Sequence, residues 1–228
     1  MNRKADHVNI CLKEKVESTY NYWDDISLVH TALPEVNYED IDLSTMLFGK
    51  RLKAPLIIAA MTGGYSGAEG INKHLAAAAE HFGIGMGVGS QRPALYDKAQ
   101  ARTFEIIREF DIPLVIANIG APQLIPQKKK GEVISLENVR EIMEMIDADV
   151  LAVHLNYLQE VVQPEGDKNA EGCYTAIKSL AAKVPVVAKE TGAGISKPVA
   201  MALKKAGVIG IDVGGLSGTS FSAVEVYR

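Results

Sequence analysis

Cysteine is scarce in this sequence, since Cys11 and Cys173 are the only two among 228 residues. Their separation fits neither a zinc-ligand spacing nor a disulfide framework, so we expect both to be reduced thiols. Long apolar runs are also lacking: none approaches the roughly 20 residues of a membrane span, and the polar start of the chain lacks the apolar core of a signal peptide. These absences lead us to expect a cytoplasmic protein with no membrane partner.

Neither positive nor negative charge is in large excess. The formal net charge is −4 at pH 7, and the one basic run, at residues 128–130, is predicted to be a solvated loop. The absence of a basic stripe argues against a nucleic-acid partner. With 47% hydrophobic and 23% charged residues, the composition is that of a globular protein, and at this length we expect one domain rather than two.

Short apolar strands alternate with amphipathic helices along most of the chain. Strands are predicted to start near residues 56, 84, 114, 150, 186 and 209, with helices at 69–82, 98–110, 136–146, 173–183 and 197–206. Ser135 and Ser196 are predicted N-caps of the third and fifth helices. This alternation predicts parallel strands joined by right-handed crossovers.

Polar residues at the strand ends distinguish a barrel from an open sheet. The first strand candidate, within residues 55–64, stops at Thr62 and two glycines, and each later strand also ends in residues able to bind a ligand. An open doubly wound sheet concentrates such residues at one switch point, whereas a barrel gathers them from all strands at its carboxyl-terminal face. We therefore predict a (β/α)8 TIM barrel, with the open sheet as the alternative.

The number of units is smaller than a complete barrel has. Six βα units are visible, and the sequence ends at Arg228 inside an apparent seventh turn, so we predict a barrel over residues 55–228 that is incomplete at its C-terminus. Residues 1–54 are predicted to form an N-terminal arm with a short helix, followed by a hairpin over 46–52 with Gly49 in its turn. This segment is expected to plug the bottom of the barrel or to cover its mouth.

A set of motifs, taken together, resembles a known family. The motifs are Met-Thr-Gly-Gly at 61–64, Gly-Ser-Gln-Arg at 89–92, Ala-Asn-Ile-Gly at 117–120, His-Leu-Asn at 154–156, Gln-Glu at 159–160, Gln-Pro-Glu-Gly-Asp at 163–167, Lys-Glu at 189–190 and Thr-Ser at 219–220. In this order the sequence resembles the type 2 isopentenyl-diphosphate isomerases, which are FMN-dependent (β/α)8 enzymes. The resemblance implies interconversion of isopentenyl and dimethylallyl diphosphate.

The resemblance also implies which residues contact the flavin. The positions that match the family's FMN contacts are Ala60, Met61, Thr62, Gly63, Ser90, Asn118, Lys189 and Thr219. Backbone groups and an amide can pair with flavin heteroatoms, and the lysine charge would stabilise an anionic reduced flavin. The family uses NADPH as reductant. Two departures are the loop at 214–218, which is less uniformly Gly/Ala, and the phosphate-binding loops after strands seven and eight, which do not occur in this sequence.

Substrate and metal contacts follow from the same comparison of motifs. The diphosphate-binding residues of the family match Arg3, Lys4, His7, Ser90, Gln91, Arg92 and Gln159. Cations and N–H donors suit a diphosphate. Gln159, with His154 and Asn156, matches the catalytic positions, and Glu160 matches the Mg²⁺ ligand, for which one carboxylate with substrate phosphates and waters suffices. The family suggests a homo-oligomer, either a tetramer or an octamer.

Two other interpretations remain open at this point. An FMN-dependent α-hydroxy-acid oxidoreductase of the same fold would share the lysine and the glycine-rich turns, although the pairs Arg3-Lys4 and Gln159-Glu160 favour the isomerase. A non-enzymatic interpretation, an inactive barrel fragment, follows from the incomplete barrel. On that basis we expect residues 1–228 alone to bind flavin weakly, to lack activity and to tend to aggregate.

Overall fold

The computed structural model describes residues 3–128 and 133–228. Of the predicted basic loop at 128–130, Lys128 is described and exposed, whereas residues 129 and 130 lie outside the described residues. The described helices are α1 (Arg3–Lys13), α2 (Ala68–Phe82), α3 (Arg92–Tyr96), α4 (Arg102–Glu105), α5 (Leu136–Met145), α6 (Tyr157–Val162), α7 (Cys173–Ala181), α8 (Lys197–Lys205) and α9 (Phe221–Tyr227). The strands are β1 (Thr45–Leu47), β2 (Lys50–Leu52), β3 (Ile57–Ile58), β4 (Gly85–Gly87), β5 (Val115–Gly120), β6 (Val150–His154), β7 (Val186–Lys189) and β8 (Gly210–Asp212).

The main sheet runs in chain order. Within the described residues it contains six strands, β3 to β8, and each pairs in parallel with the next along the chain. A doubly wound sheet would reverse its winding at a switch point, and this order has no reversal. The architecture is that of six consecutive βα units of a (β/α)8 barrel, as predicted.

Side chains that alternate along the strands pack into two separate apolar clusters, one on each face of the sheet. In β5, Val115, Ala117 and Ile119 pack in the cluster shared with the helices, whereas Ile116 packs in the cluster on the opposite face. Because strand side chains alternate between faces, Asn118 shares the face of Ile116. The same alternation puts His154 and Lys189 on the inner face of β6 and β7. The fold therefore directs these polar side chains into the barrel.

The N-terminal hairpin packs beneath the barrel. Its turn has left-handed residues at Phe48 (φ 48°) and Gly49 (φ 79°), which a two-residue hairpin turn requires. Leu52 is fully buried against Leu114, Ile116 and Val150, so the hairpin fills the barrel floor. The hairpin prediction is thereby confirmed. The helix of the arm, α1, lies at the other end, over the mouth.

Three local predictions differ from the structure. The segment predicted as one helix over 98–110 consists of 3-10 turns around the single turn α4, and the Thr103 hydroxyl in this turn accepts from the Gly64 N–H and donates to the Gln100 carbonyl. The first strand of the main sheet, β3, has only two residues. It is partly exposed because its other edge has no partner among the described residues. Ser196 occupies the N-cap position but makes no side-chain capping bond, whereas Ser135 forms a complete capping box with Asn138.

Candidate active site

A cavity of about 640 Å³ lies at the carboxyl ends of the strands, between α1 and the chain that follows β8. Carboxyl ends of parallel strands meet at one edge, so the residues that follow them line a common space. The predicted site residues in its lining are Arg3, Lys4, His7, Ala60, Met61, Thr62, Gly63, Ser90, Arg92, Asn118, His154, Asn156, Gln159, Glu160, Lys189 and Thr219. Segments distant in sequence thus converge on one cavity.

Gln91 is the predicted site residue that the structure places elsewhere. Its side chain is fully buried and outside the cavity lining. Its amide donates to the Ile142 carbonyl at 2.8 Å and accepts from the Asn118 backbone N–H at 3.2 Å. Because both ends of the amide bind backbone groups, the side chain joins the β4 turn to α5 and β5 and is not available to a substrate.

The turn after β3 is fixed by close packing. Gly63 has φ 138°, and a Cβ at this position would lie 2.0 Å from the Phe104 ring. The Gly64 N–H donates to the Thr103 hydroxyl at 2.8 Å. The Thr62 hydroxyl donates to Asn72 on α2, which differs from the expected role of this hydroxyl as a cofactor contact. Main-chain groups of the turn, together with Met61, therefore form this part of the lining.

His154 is held as a neutral imidazole. Its Nδ1 lies 2.7 Å from Asn118 Oδ1, and Asn118 Nδ2 donates to the Ala60 carbonyl at 3.3 Å. An amide oxygen only accepts, so Nδ1 carries the proton and Nε2 is left as an acceptor. Burial, followed by the charge of Lys189 and three other cations, lowers the pKa of His154 to about 3.

Four cations line the cavity around His154. They are Arg3, Lys4, Arg92 and Lys189. Lys4 donates from Nζ to the Ser90 carbonyl at 2.7 Å and lies 5.3 Å from the Phe104 ring centroid. Burial, together with the charges of Arg3 and Arg92, lowers the pKa of Lys4 to about 7. Mutual repulsion between these cations would be relieved by an anionic ligand, so the cavity is suited to phosphate groups.

Two of these cations also have carboxylate partners at the rim. Lys189 Nζ lies 2.7 Å from Asp212 Oδ2 and donates to the Glu190 carbonyl at 3.2 Å. Arg92 Nη1 lies 3.1 Å from Asp167 Oδ2. These contacts fix the direction of both side chains.

The start of α6 brings an amide and a carboxylate together. Asn156 Nδ2 lies 3.3 Å from both Gln159 Oε1 and Glu160 Oε1, and Glu160 Oε2 accepts from the Asp167 N–H at 2.8 Å. Burial raises the pKa of Glu160 above its usual value. Asn156 Oδ1 is buried and has no hydrogen-bond partner among the described residues, so a ligand donor would satisfy it.

No group of three or more His, Cys, Asp or Glu side chains in residues 3–128 and 133–228 is arranged to hold a metal ion. Glu160 is therefore not part of such a group of ligands among these residues. A single carboxylate ligand leaves most of a magnesium coordination sphere to substrate oxygens and water.

Glu225 is a site residue that the sequence analysis missed. Its side chain is completely buried, and its carboxylate lies 2.9 Å from His7 Nε2, 3.0 Å from Gln159 Nε2 and 2.8 Å from Arg228 Nε. Burial raises the pKa of this carboxyl, but the hydrogen bonds from His7, Gln159 and Arg228 outweigh it and lower the pKa to about 2. The only signal in the sequence is that Glu225 is the one charged residue of α9.

Gln163 adds a second link between this network and α1, through Arg3. With its amide oriented to satisfy its neighbours, Gln163 donates to Glu225 Oε1 at 3.0 Å and accepts from Arg3 Nη1 at 2.8 Å. Glu225 therefore connects α6, α9 and α1, and it orients both Gln159 and the helix that closes the mouth.

Comparison with known proteins shows which proteins this chain resembles. Isopentenyl-diphosphate delta-isomerases from Thermoplasma acidophilum and Archaeoglobus fulgidus are each 53% identical to this chain over 99% of its length. That from Picrophilus torridus is 51% identical over the whole chain. The chain is thus similar to these isomerases along its whole length. A family model of FMN-dependent dehydrogenases matches residues 11–109.

The chain spans 64% of the length of each of these three isomerases. Among solved structures, a mandelate oxidase variant with benzaldehyde is similar, with a TM-score of 0.49 and 18% identity; the match covers 92% of this chain and 59% of that one. No helix in residues 3–128 and 133–228 has the length and apolarity that a membrane crossing requires.

Proposed function

We propose that the cavity binds FMN and a five-carbon isoprenoid diphosphate, and that the protein interconverts isopentenyl and dimethylallyl diphosphate. The observation that carries this proposal is the convergence of Arg3, Lys4, Arg92 and Lys189 around the neutral His154. The experiment is to supply the native protein with FMN and isopentenyl diphosphate and to follow dimethylallyl diphosphate by NMR. Product is expected only after the flavin is reduced, and conversion with oxidised FMN would contradict the proposal.

The residues present fit a flavin. Backbone groups of residues 60–63 line the cavity, and a Cβ on Gly89 would lie 2.7 Å from the Met61 carbonyl, so the first two strand-end turns are packed into one wall. Asn118 and Lys189 would hold the ring system, with Ser90 and Thr219 at its periphery. Reduced FMN would supply an acid–base group beside the substrate. NADPH is proposed as the reductant.

Arg3, Lys4 and Arg92 are proposed to hold the diphosphate. Lys4 and Ser90 are already joined by a hydrogen bond, and Arg92 is directed by Asp167, so binding orders few additional side chains. The anion would also favour the charged form of Lys4, whose pKa of about 7 leaves it partly neutral near neutral pH.

Gln159 is proposed to orient the reacting end of the substrate. Its Nε2 donates to Glu225 and its Oε1 accepts from Asn156, so both ends of the amide are fixed. A neutral amide is a poor general base, and orientation or relay suits it better than proton abstraction. His154 Nε2 and the unsatisfied Asn156 Oδ1 are two acceptors that can bind donors of a ligand.

Glu160 is proposed to bind Mg²⁺ together with the diphosphate. The pKa of Glu160 is raised by burial, and a divalent cation would compensate the buried charge. Glu160→Gln should therefore raise the Mg²⁺ concentration needed for half-maximal activity at least about tenfold, with an unchanged flavin spectrum. Glu171→Gln, at an exposed carboxylate, is the matched control. Equal Mg²⁺ dependence of both variants would refute the metal assignment.

A second candidate function is oxidation of an α-hydroxy acid. It is favoured by the match of residues 11–109 to the FMN-dependent dehydrogenases. The two functions are distinguished by adding (S)-mandelate or (S)-lactate to the FMN-loaded protein without oxygen. Bleaching of the flavin absorbance would support the oxidoreductase, whereas the isomerase predicts no change.

A further inference from the structure

Asp167 is a charged residue near the cavity to which the proposed function gives no part beyond directing Arg92. Its side chain is 18% exposed and lies outside the lining of the cavity. It ends the segment at 163–167 that follows α6, and both its carboxylate and its backbone N–H contact residues that line the cavity. Asp167 therefore acts on a ligand of the cavity through those residues.

Two side chains from different elements hold the Asp167 carboxylate. Arg92 Nη1, at the start of α3, lies 3.1 Å from Oδ2. Gln123 Nε2, on the 3-10 turn that follows β5, donates to the same oxygen at 3.3 Å. Gln123 is itself buried and lines the cavity. The direction of the carboxylate is thus fixed from two sides, with one of the four cavity cations against it.

The backbone of the same residue holds the proposed metal ligand. The Asp167 N–H donates to Glu160 Oε2 at 2.8 Å. The segment packs closely on α6, because a Cβ on Gly166 would lie 1.9 Å from the Glu160 carbonyl oxygen, and the Gly166 N–H donates to the Gln163 carbonyl at 3.0 Å. One residue thereby joins a cation proposed to bind the diphosphate to the carboxylate proposed to bind Mg²⁺.

The negative charge of Asp167 affects both of these partners. Two carboxylates on either side of one N–H repel each other, and burial together with the charge of Asp167 raises the pKa of Glu160. A divalent cation at Glu160 relieves this repulsion. A diphosphate without metal meets the same negative charge beside Arg92, which weakens its attraction to the cavity. The charge of Asp167 therefore favours a diphosphate that brings a cation and disfavours one that does not.

We propose that Asp167 is a positioning residue that makes the cavity select a diphosphate complexed with Mg²⁺ over the free diphosphate. It couples the binding of Mg²⁺ at Glu160 to the binding of phosphate at Arg92. Such coupling between two sites is reciprocal and typically changes affinity about 5- to 150-fold. The inference rests on the proposed function, because it uses the diphosphate and metal assignments made there.

Inorganic pyrophosphate is the probe, because it carries a diphosphate charge and requires neither flavin nor turnover. Its dissociation constant is measured by isothermal titration calorimetry, once with excess Mg²⁺ and once with a chelator in place of Mg²⁺. The ratio of the two constants gives the coupling in each variant. Asp167→Asn keeps the size of the side chain and the N–H that binds Glu160, and it removes the charge.

Mg²⁺ should tighten pyrophosphate binding to the unsubstituted chain, and this tightening should be at least about fivefold smaller in Asp167→Asn. Without Mg²⁺, the variant should bind pyrophosphate at least as tightly as the unsubstituted chain, because a nearby negative charge is gone. Asp167→Ala is a second variant with the same expectation. Glu171→Gln, at an exposed carboxylate, should keep the full tightening. Circular dichroism checks that the variants fold.

Two results would overturn the role of Asp167 and leave the proposed function intact. One is equal tightening by Mg²⁺ in Asp167→Asn and in the unsubstituted chain. The other is binding weakened by the same factor with and without Mg²⁺, which would show a purely structural effect. If the unsubstituted chain bound no pyrophosphate, or bound it equally with and without Mg²⁺, the diphosphate or metal assignment would fail, and this inference with it.

Discussion

Glu225 connects three elements around the cavity, α1, α6 and α9. Its carboxylate holds His7 of α1 and Gln159 of α6, and Arg228 completes its hydrogen bonds. Removing a buried hydrogen-bonded charge leaves several donors without a full partner, which costs more than the loss of an exposed ion pair. The geometry of Gln159 therefore depends on a residue that need not touch substrate.

Glu225→Gln should destabilise the protein in a pH-dependent way. The folded-state pKa of about 2 lies below the usual value of 4.5, so the carboxylate stabilises the fold above about pH 5. That stabilisation is lost as the pH falls from about 5 to about 2, and its full size is on the order of 3 kcal/mol. Urea unfolding of the variant and of the unsubstituted chain across this range measures the difference.

The matched control for this prediction is Glu171→Gln, at an exposed position. It should unfold at the same urea concentration as the unsubstituted chain at every pH. If Glu225→Gln also showed no loss at pH 7, or a loss independent of pH, Glu225 would not be ionised and hydrogen-bonded as described.

Among single residues, sequence motifs predicted the site residues near strand ends better than the residues that tertiary packing places. Asn118 near the end of β5 and Lys189 at the end of β7 belong to such motifs and line the cavity. Glu225 reaches His7 only because α9 packs against α1, and no local pattern carries that information. Gln91 lies in a motif beside lining residues, yet its amide faces Ile142 because the chain turns inward there.

At the scale of elements, the turn after β3 determines the shape of one cavity wall. Gly63→Ala would force a Cβ into the Phe104 ring, 2.0 Å away, at a backbone φ of 138° that other residues avoid. We expect a loss of stability of about 2–4 kcal/mol, from strain and overpacking together. The urea midpoint of the variant measures this loss.

Gly70→Ala is the control substitution for the turn. Gly70 lies in the first turn of α2, and a Cβ there would meet open space. This variant should match the unsubstituted chain or gain up to about 0.5 kcal/mol. Similar midpoints for the two variants would show that the Gly63 turn is not constrained as described.

Element positions were predictable where hydrophobic periodicity and local capping act together. The helix over Leu136–Met145 begins at the predicted Ser135, whose capping box is local in sequence. The segment at 98–110 was predicted incorrectly because side-chain contacts break the helix there. The Thr103 hydroxyl accepts from the Gly64 N–H, which is distant in sequence, and donates to the nearby Gln100 carbonyl. Such contacts favour short turns over a continuous helix.

At the scale of the whole molecule, the strand order explains why a single cavity forms. Six parallel strands in chain order bring the ends of β5, β6 and β7 side by side, with Gly120 opposite His154 and His154 opposite Lys189. The sequence predicted this order because strand-helix alternation permits few topologies. The division at residue 54, the oligomeric state and the location in the cytoplasm stay predictions.

The proposed function requires reduced FMN in this cavity, without net oxidation or reduction of the substrate. The most direct measurement is the number of dimethylallyl diphosphate molecules formed per NADPH oxidised by the native protein, loaded with FMN and supplied with Mg²⁺ and isopentenyl diphosphate under anaerobic conditions. Product should far exceed the NADPH consumed, because one reduction of the flavin serves many turnovers. One NADPH oxidised for each product molecule would contradict it.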